Sequence, residues 1–436
     1  MKDTTSKYLS LYACREANDI KIPGCYDSVI VVPIYAEYPH CIDVLDNLPQ
    51  QHKHHKILVI LVINQAKSSP DWVLADNQKL IHHLKSLPLL WKNSSHNIIL
   101  CEHSRCHILM VDRAVSQPFD EENVGLARKI GSDMALALIQ RNTIRTEWIH
   151  QTDADVRLPS DYWNIPPTHE NKFSALIYPF SHTSLHACQT TLLACQLYEL
   201  SLRDYRLKLA QAGSKYAYHS IGSTFAISKD AYAKVRGYPL RQAGEDFHIL
   251  NKLRKVGDFF HPNTQPLLLS ARASSRTPFG TGQNIQRILK NHEINSAQIF
   301  YHPHIFDYLL SWLNIINSFD LTLDSPQKIQ NSMDDYFNKF NIQLDPLLLF
   351  KVINSLKLPN SFIKLLKNSN HAEHFKFHCH THFDALKTLR FIHLFRDQSY
   401  PLITLRELLD YSPYHGLSQH LPMAKILSKI MVLDTK

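Results

Sequence analysis

Glycine is scarce in this chain. There are 11 residues among 436, and six of them (Gly222, Gly237, Gly244, Gly257, Gly280 and Gly282) crowd into one stretch. Glycine serves where backbone turns sharply or comes close to a ligand, so 222–282 is the first place to look for a site. Paired cysteine motifs are missing: the eight cysteines at 14, 25, 41, 101, 106, 188, 195 and 379 include no Cys-x-x-Cys. At this length that argues against a disulfide framework and for reduced thiols in a cytoplasmic protein. The opening MKDTTSKYLSLYACREAND has no apolar core of signal-peptide length. The longest strongly apolar run, Ile57–Ile63, reads as a buried strand, far short of the roughly 20 residues that span a bilayer. What remains is a soluble chain, or one that touches a membrane at its periphery. Charged residues are 20% and hydrophobic residues 44%, a balance that excludes disorder.

The charge that is present is net positive, +8 with histidine neutral, and 27 histidines add to it at low pH. Such a surface favours anionic partners: nucleotides, phosphates, acidic headgroups or nucleic acid. Along the chain, SVIVVPIY (28–35) and KILVILVIN (56–64) read as buried strands. Further strands are expected near 97–101, 106–112 and 147–152. Between them, Ser69-Pro70-Asp71 opens a helix to about Leu87, and Asp120 is the expected cap of a helix with Val124, Ala127, Gly131, Met134 and Leu138 at helical spacing. This alternation indicates an α/β fold, a doubly wound and mainly parallel sheet covered on both faces. In open sheets of that kind ligands bind beyond the carboxyl ends of the strands. Strands at 173–180 and 220–228 and a long helix at 186–210 continue the chain, and 244–257 is a helix with an acidic first turn. Beyond about 284 the pattern turns to long apolar-periodic stretches such as 305–319 and 345–358, an α-helical C-terminal domain.

HQTDADVRLP (150–159) puts Asp153 and Asp155 one residue apart at a strand end. Two hard oxygen ligands on one turn suit Mg²⁺ or Mn²⁺, which share their other positions with water and phosphate. Alone, the pair is equally a solvated turn. Glu245 and Asp246 at a helix start offer a general base, or merely complement the helix dipole. Arg272 and Arg276, ahead of Gly280 and Gly282, form a basic loop suited to a diphosphate.

In this order SVIVVPIYAE, VILVIN, NVGLARKIGSDMAL, WIHQTDADVRLP, GSTFAISKDAYAKVRGYP and AGEDFHILNKLRKVG resemble family 2 glycosyltransferases of the GT-A fold, from Ser28 to Gly282. The resemblance implies a nucleoside-diphosphate sugar donor, an acceptor hydroxyl on a glycan, a lipid-linked or a small molecule, a divalent ion (Mn²⁺ or Mg²⁺), and transfer with inversion. It places Pro33, Tyr35 and Glu37 in the loop that meets the nucleotide. Asn64 stands where the family has a base-contacting aspartate. Arg128 resembles the helix arginine near the nucleotide. Asp155 is the better metal ligand, with Asp153 beside it or on the ribose or sugar. Gly222 and Ser223 border the sugar and acceptor, Asp246 with Glu245 supplies the base, and Arg276 meets phosphate. His261 is a further candidate metal ligand or a surface histidine.

The expected layout is an N-terminal extension (1–27), the GT-A domain (28–283) and the helical domain (284–436). Nucleic acid is not an expected partner, and contact with a membrane periphery stays open. A nucleotidyltransferase is the same-fold alternative, disfavoured because no glycine- and lysine-rich loop follows the first strand. A non-catalytic basic scaffold for acidic polymer or lipid is the other. His378, His380 and His382 alternate, so in a strand they would share one face and could hold Zn²⁺ or Cu²⁺. A solvated or acceptor-binding face competes with that reading.

Overall fold

The structure, a computed structural model, describes residues 4–165, 173–183, 188–271, 281–291, 293–411, 414 and 423–434. In chain order the first part runs α1 (Thr4–Leu11), α2 (Arg15–Asn18), β1 (Ser28–Ile34), α3 (His40–Asp46), β2 (Ile57–Asn64), α4 (Asp71–Lys85), β3 (Leu89–Asn93), β4 (Ile98–Glu102), β5 (His107–Arg113), α5 (Val124–Gln140) and β6 (Trp148–Gln151). It continues with β7 (Val156–Arg157), β8 (Phe173–Ile177), β9 (Phe180–Thr183), α6 (Gln189–Gln211), β10 (Phe225–Ser228), α7 (Lys229–Lys234), α8 (Glu245–Leu253), β11 (Asp258–Phe260), β12 (Leu267–Ser270) and α9 (Thr281–Leu289). Helices alone follow: α10 (His304–Asn317), α11 (Pro326–Lys339), α12 (Pro346–Ser355), α13 (Leu358–Leu366), α14 (Ala372–His382), α15 (Ala385–Gln398), α16 (Leu405–Leu409) and α17 (Met423–Asp434).

The fold is α/β, with a large central sheet and a helical C-terminal region. Two compact units divide the chain: residues 1–192 with 220–286, and residues 193–219 with 287–436. Two assignments differ from the sequence layout. The stretch 4–18 folds with the first unit, since Tyr8 donates to Asp133 on α5 (2.6 Å). The stretch 193–219 belongs to the second, whose apolar core includes Leu209 and Ala212 along with Trp312, Phe319 and Phe362. Among the described residues no helix is long and apolar enough to cross a membrane.

Strand order in the central sheet is β11-β8-β10-β6-β1-β2-β5-β4-β3. Its centre, β6-β1-β2-β5, is parallel. The flanks are antiparallel at β5-β4-β3 and around β10. β1 and β2 are the Val/Ile-rich runs of the sequence, and nearly every residue in them is buried. Strands buried on both faces carry no alternation, which is why they read as continuous apolar runs. Pro33 is tolerated inside β1 for a local reason. Val31 carbonyl accepts from Thr152 N–H (3.2 Å), so that edge of β1 faces β6. Two residues on, β6 has turned away and Pro33 has no ladder bond to lose.

α5 lies on β1, β2 and β6. Thirteen of its residues are buried, so it is a central helix rather than a surface one. Its cap is Asn123, whose side chain accepts from Leu126 N–H (2.8 Å). The expected cap, Asp120, is exposed and pairs with Lys67 instead. The edge strand β3 was not expected, having exposed leucines and no alternation. The stretch 173–180 breaks into β8 and β9. The strand expected over 220–228 is confined to β10.

The first turn of α5 touches the loop that leads into α8. Gly125 N–H donates to Arg241 carbonyl (3.1 Å), and a Cβ at Gly125 would lie 2.4 Å from Pro239 carbonyl oxygen. Backbone cannot give way there as a side chain could. Gly125→Ala is therefore expected to destabilise the protein by about 1–3 kcal/mol through overpacking, seen as a lower urea midpoint at unchanged slope.

Candidate active site

Strand order reverses on either side of β1, and the loops beyond the carboxyl ends of β1, β2 and β6 gather there. Gln151 pairs with Phe225, so the segment entering β10 reaches the same edge of the sheet. Three distant parts of the sequence meet there on one guanidinium. Arg128, 2% exposed on α5, donates through Nη2 to Asp153 Oδ1 (2.6 Å) and through Nε to Glu245 Oε1 (3.0 Å). Gly222 closes over the group: a Cβ there would lie 2.6 Å from Arg128 Nη2 and 3.5 Å from Asp246 Oδ2. A side chain at this position would have to push the guanidinium aside. Ser223 beside it is buried.

The two carboxyls of the Glu-Asp pair differ. Glu245 is buried at 5% exposure and committed to Arg128. Asp246 is half-buried. Its Oδ1 accepts from Phe247 N–H (2.6 Å). Burial, and then the like charge of Glu245, push the Asp246 carboxyl up to about 7, against the opposing pull of the Phe247 N–H and Arg128. Burial works against the charge of Arg128, but Asp153 and then the other facing groups keep it firmly cationic. Tyr238, which the sequence reading did not single out, is buried against this cluster. Burial raises its hydroxyl well above the ordinary range, while Arg128 draws it down.

Asp153 and Asp155 sit on the turn after β6, both half-buried. The Asp153 side chain keeps 40% exposure although one oxygen is held by Arg128. As a donor set they fit a hard divalent ion: two carboxylates, with the other positions left to water and a substrate phosphate. Among the described residues no three His, Cys, Asp or Glu side chains converge as a closed metal cage.

The remaining sequence candidates fall as follows. Pro33 lies in β1, and Tyr35 and Glu37 follow it. Tyr35 hydroxyl donates to Glu122 Oε1 (2.9 Å). Asn64, buried at the end of β2, spends its amide on backbone, donating to Ile34 carbonyl (2.8 Å) and Val62 carbonyl (3.2 Å). His261 follows β11 on the same edge of the sheet, but β11 is three strands from β6, roughly 14 Å by strand spacing. Arg276, with Arg272 and Gly280, lies outside the described residues.

The sequence reading missed Asp76 and Asn77 on α4. Asn77 Oδ1 accepts from Ala36 N–H (3.1 Å) and Asp76 Oδ2 from Tyr38 N–H (3.0 Å). Asn77 also donates to Gln65 Oε1 (3.0 Å). These bonds hold the loop after β1, where Ala36 takes left-handed backbone (φ 52°). The signal was present. Asn77 falls in the buried stripe of Val73, Leu80, Ile81 and Leu84, and a polar residue there needs partners.

No family model matches this chain, and no curated protein does. Among solved structures it is similar to S. aureus TarS 1–349 in complex with UDP-GlcNAc, at 10% identity and a TM-score of 0.35, covering 81% of this chain and 89% of that one. It is also similar to the mannosyltransferase PcManGT from Pyrobaculum calidifontis in complex with GDP-Man and Mn²⁺. That match has 14% identity and a TM-score of 0.33, covering 88% of this chain and 95% of that one.

Two outcomes follow from the charge cluster. Arg128→Met strands the buried Glu245 carboxylate and is expected to cost about 3 kcal/mol, the low end for a severed buried pair because Asp153 keeps access to water. Chemical denaturation at pH 8 measures it, and adding Glu245→Gln should recover part of the loss. The second outcome concerns pH. The folded value of Asp246 lies above its unfolded value near 4, so the folded state binds the extra proton. Its contribution to stability is complete below about pH 4 and lost as pH rises to about 7. Asp246→Asn should flatten the fall in melting temperature between pH 5 and 7.

Proposed function

We propose that this chain is a glycosyltransferase of the GT-A, family 2 kind. It moves a sugar from a nucleoside-diphosphate sugar to an acceptor hydroxyl with inversion. The observation that carries this reading is the junction on Arg128. One buried guanidinium ties the Asp-x-Asp turn to the Glu-Asp pair and leaves Asp246 as a half-buried carboxyl poised near neutrality. A base must be free of its proton at working pH yet basic enough to take one, and a value near 7 meets both needs.

In the proposed reaction the Asp246 carboxylate takes the proton of the acceptor hydroxyl. The acceptor oxygen forms a bond to the anomeric carbon from the face opposite the diphosphate. The bond from that carbon to phosphate oxygen breaks, and the nucleoside diphosphate leaves. Burial, and then the like charge of Glu245 that Arg128 holds in place, keep Asp246 basic. Arg128 is a positioning residue: it sets the Asp153 turn and α8 relative to each other. Asp155, with Asp153 beside it, would hold Mn²⁺ or Mg²⁺, which when bound supplies neutralisation of the leaving diphosphate. Tyr35 and Glu37 after β1 are assigned to the nucleotide, and Gly222 and Ser223 to the sugar and acceptor. The eight free thiols go with a cytoplasmic location. No observation favours the nucleotidyltransferase or scaffold reading.

Thermal unfolding with a panel of nucleoside diphosphates, with and without Mn²⁺, tests the donor site and identifies the base. The expected result is stabilisation by one diphosphate that depends on the ion; no response to any member overturns the reading. Asp246→Asn should abolish transfer and leave that stabilisation intact. In the unsubstituted protein, kcat/KM should rise with pH through about 7 as Asp246 loses its proton.

A further inference from the structure

The histidine-rich stretch 371–384 takes no part in the site above. Its candidate set His378, His380 and His382 assumed a strand, in which alternate residues share a face. The structure makes the stretch α14, with His371 at its cap, and helical geometry regroups the rings. At about 100° per residue, His374 and His378 stand roughly 40° apart and one turn above each other, while His380 points away from both. His380 is occupied elsewhere, with Nε2 2.7 Å from Asn317 Oδ1.

His374 and His378 have ring centroids 4.1 Å apart, inclined at 59°. Both are half-buried at the surface of the helix, and no described residue hydrogen-bonds either ring. The adjacent side of α14, about 100° round the helix, is anchored by the buried Phe375 and Cys379, which fixes the face the pair presents. His371 accepts from His374 N–H through Nδ1 (3.3 Å), and its ring lies 5.7 Å from that of His374. The nearby cation Lys376 is engaged by Glu373 (2.9 Å).

Two imidazoles one helical turn apart form a two-point clip for a borderline transition ion. We propose that His374 and His378 bind a divalent transition metal ion (Zn²⁺, Ni²⁺ or Cu²⁺) through one ring nitrogen each, with water completing the shell. Among the described residues no third His, Cys, Asp or Glu converges with them, so the site is open. Its donors set its selectivity. Nitrogen ligands take Cu²⁺, Ni²⁺ and Zn²⁺ and discriminate against Mg²⁺, the reverse of the carboxylates on the Asp153 turn. A bound ion cross-links adjacent turns of α14 and so stabilises the folded helix over the unfolded chain. The inference stands independently of the glycosyltransferase reading.

The test is titration calorimetry of the full chain with Ni²⁺ and Zn²⁺ in excess Mg²⁺, paired with thermal unfolding. The expected result is one binding equivalent and a raised melting temperature, both lost in His374→Ala and in His378→Ala and both kept in His380→Ala. Far-UV circular dichroism confirms that each variant remains helical. Binding that survives both His374→Ala and His378→Ala, or no binding to the unsubstituted chain, overturns the proposal.

Discussion

The first unit depends on the Arg128 guanidinium. A cation at 2% exposure is costly to desolvate. It is kept by Asp153 at 2.6 Å and Glu245 at 3.0 Å, each on a different nitrogen. The planar fork matters, because two carboxylates approach from different directions and each meets its own N–H. A lysine would bring a single point of charge to the same place. The consequence is geometric as well as electrostatic. The turn after β6, the start of α8 and the second turn of α5 are separated in sequence and joined by one side chain.

That junction also divides labour within the Glu-Asp pair. Glu245 is spent on Arg128 and remains an anion facing its neighbour. Asp246, next in the chain, is partly withdrawn from water and also meets that charge. It becomes the carboxyl with the raised proton affinity. Neither residue differs much from the other as chemistry, so their roles follow from which one reaches the guanidinium. The Asp-x-Asp turn is divided in the same way. Asp153 is partly committed to Arg128, and Asp155 carries the greater part of the proposed ion binding.

The frame around the junction explains how it is held. Asp133 on α5 receives Tyr8 (2.6 Å), Tyr232 (2.7 Å) and Lys129 (2.7 Å), so the N-terminal helix and α7 both lock that helix in place. The residues before β1 thus act as part of the first unit's scaffold rather than as an appendage. After β1, Asn77 and Asp76 set the following loop by accepting its backbone N–H groups. Glycine stands at two of the close approaches in this frame, Gly125 against the loop before α8 and Gly222 against Arg128.

Much of this was legible in the sequence. The parallel strands announced themselves as continuous Val/Ile runs. The candidates Arg128, Asp153, Gly222, Glu245 and Asp246 follow from motif order, and these side chains lie next to one another in the structure. The misses have a common cause. Asp120 looked like a cap, but which polar residue caps a helix depends on where the backbone leaves helical angles, and here that is Asn123. The alternating histidines looked like a strand face, yet buried Phe375 and Cys379 made the stretch a helix and paired His374 with His378 instead. Composition and periodicity are local properties, so the sequence by itself determined most of the elements, the parallel centre of the sheet and the list of chemical groups. The choice of Glu245 for Arg128, and with it the proton affinity of Asp246, was decided only by the tertiary structure, because desolvation and charge–charge energies depend on distances across the fold that no local pattern encodes.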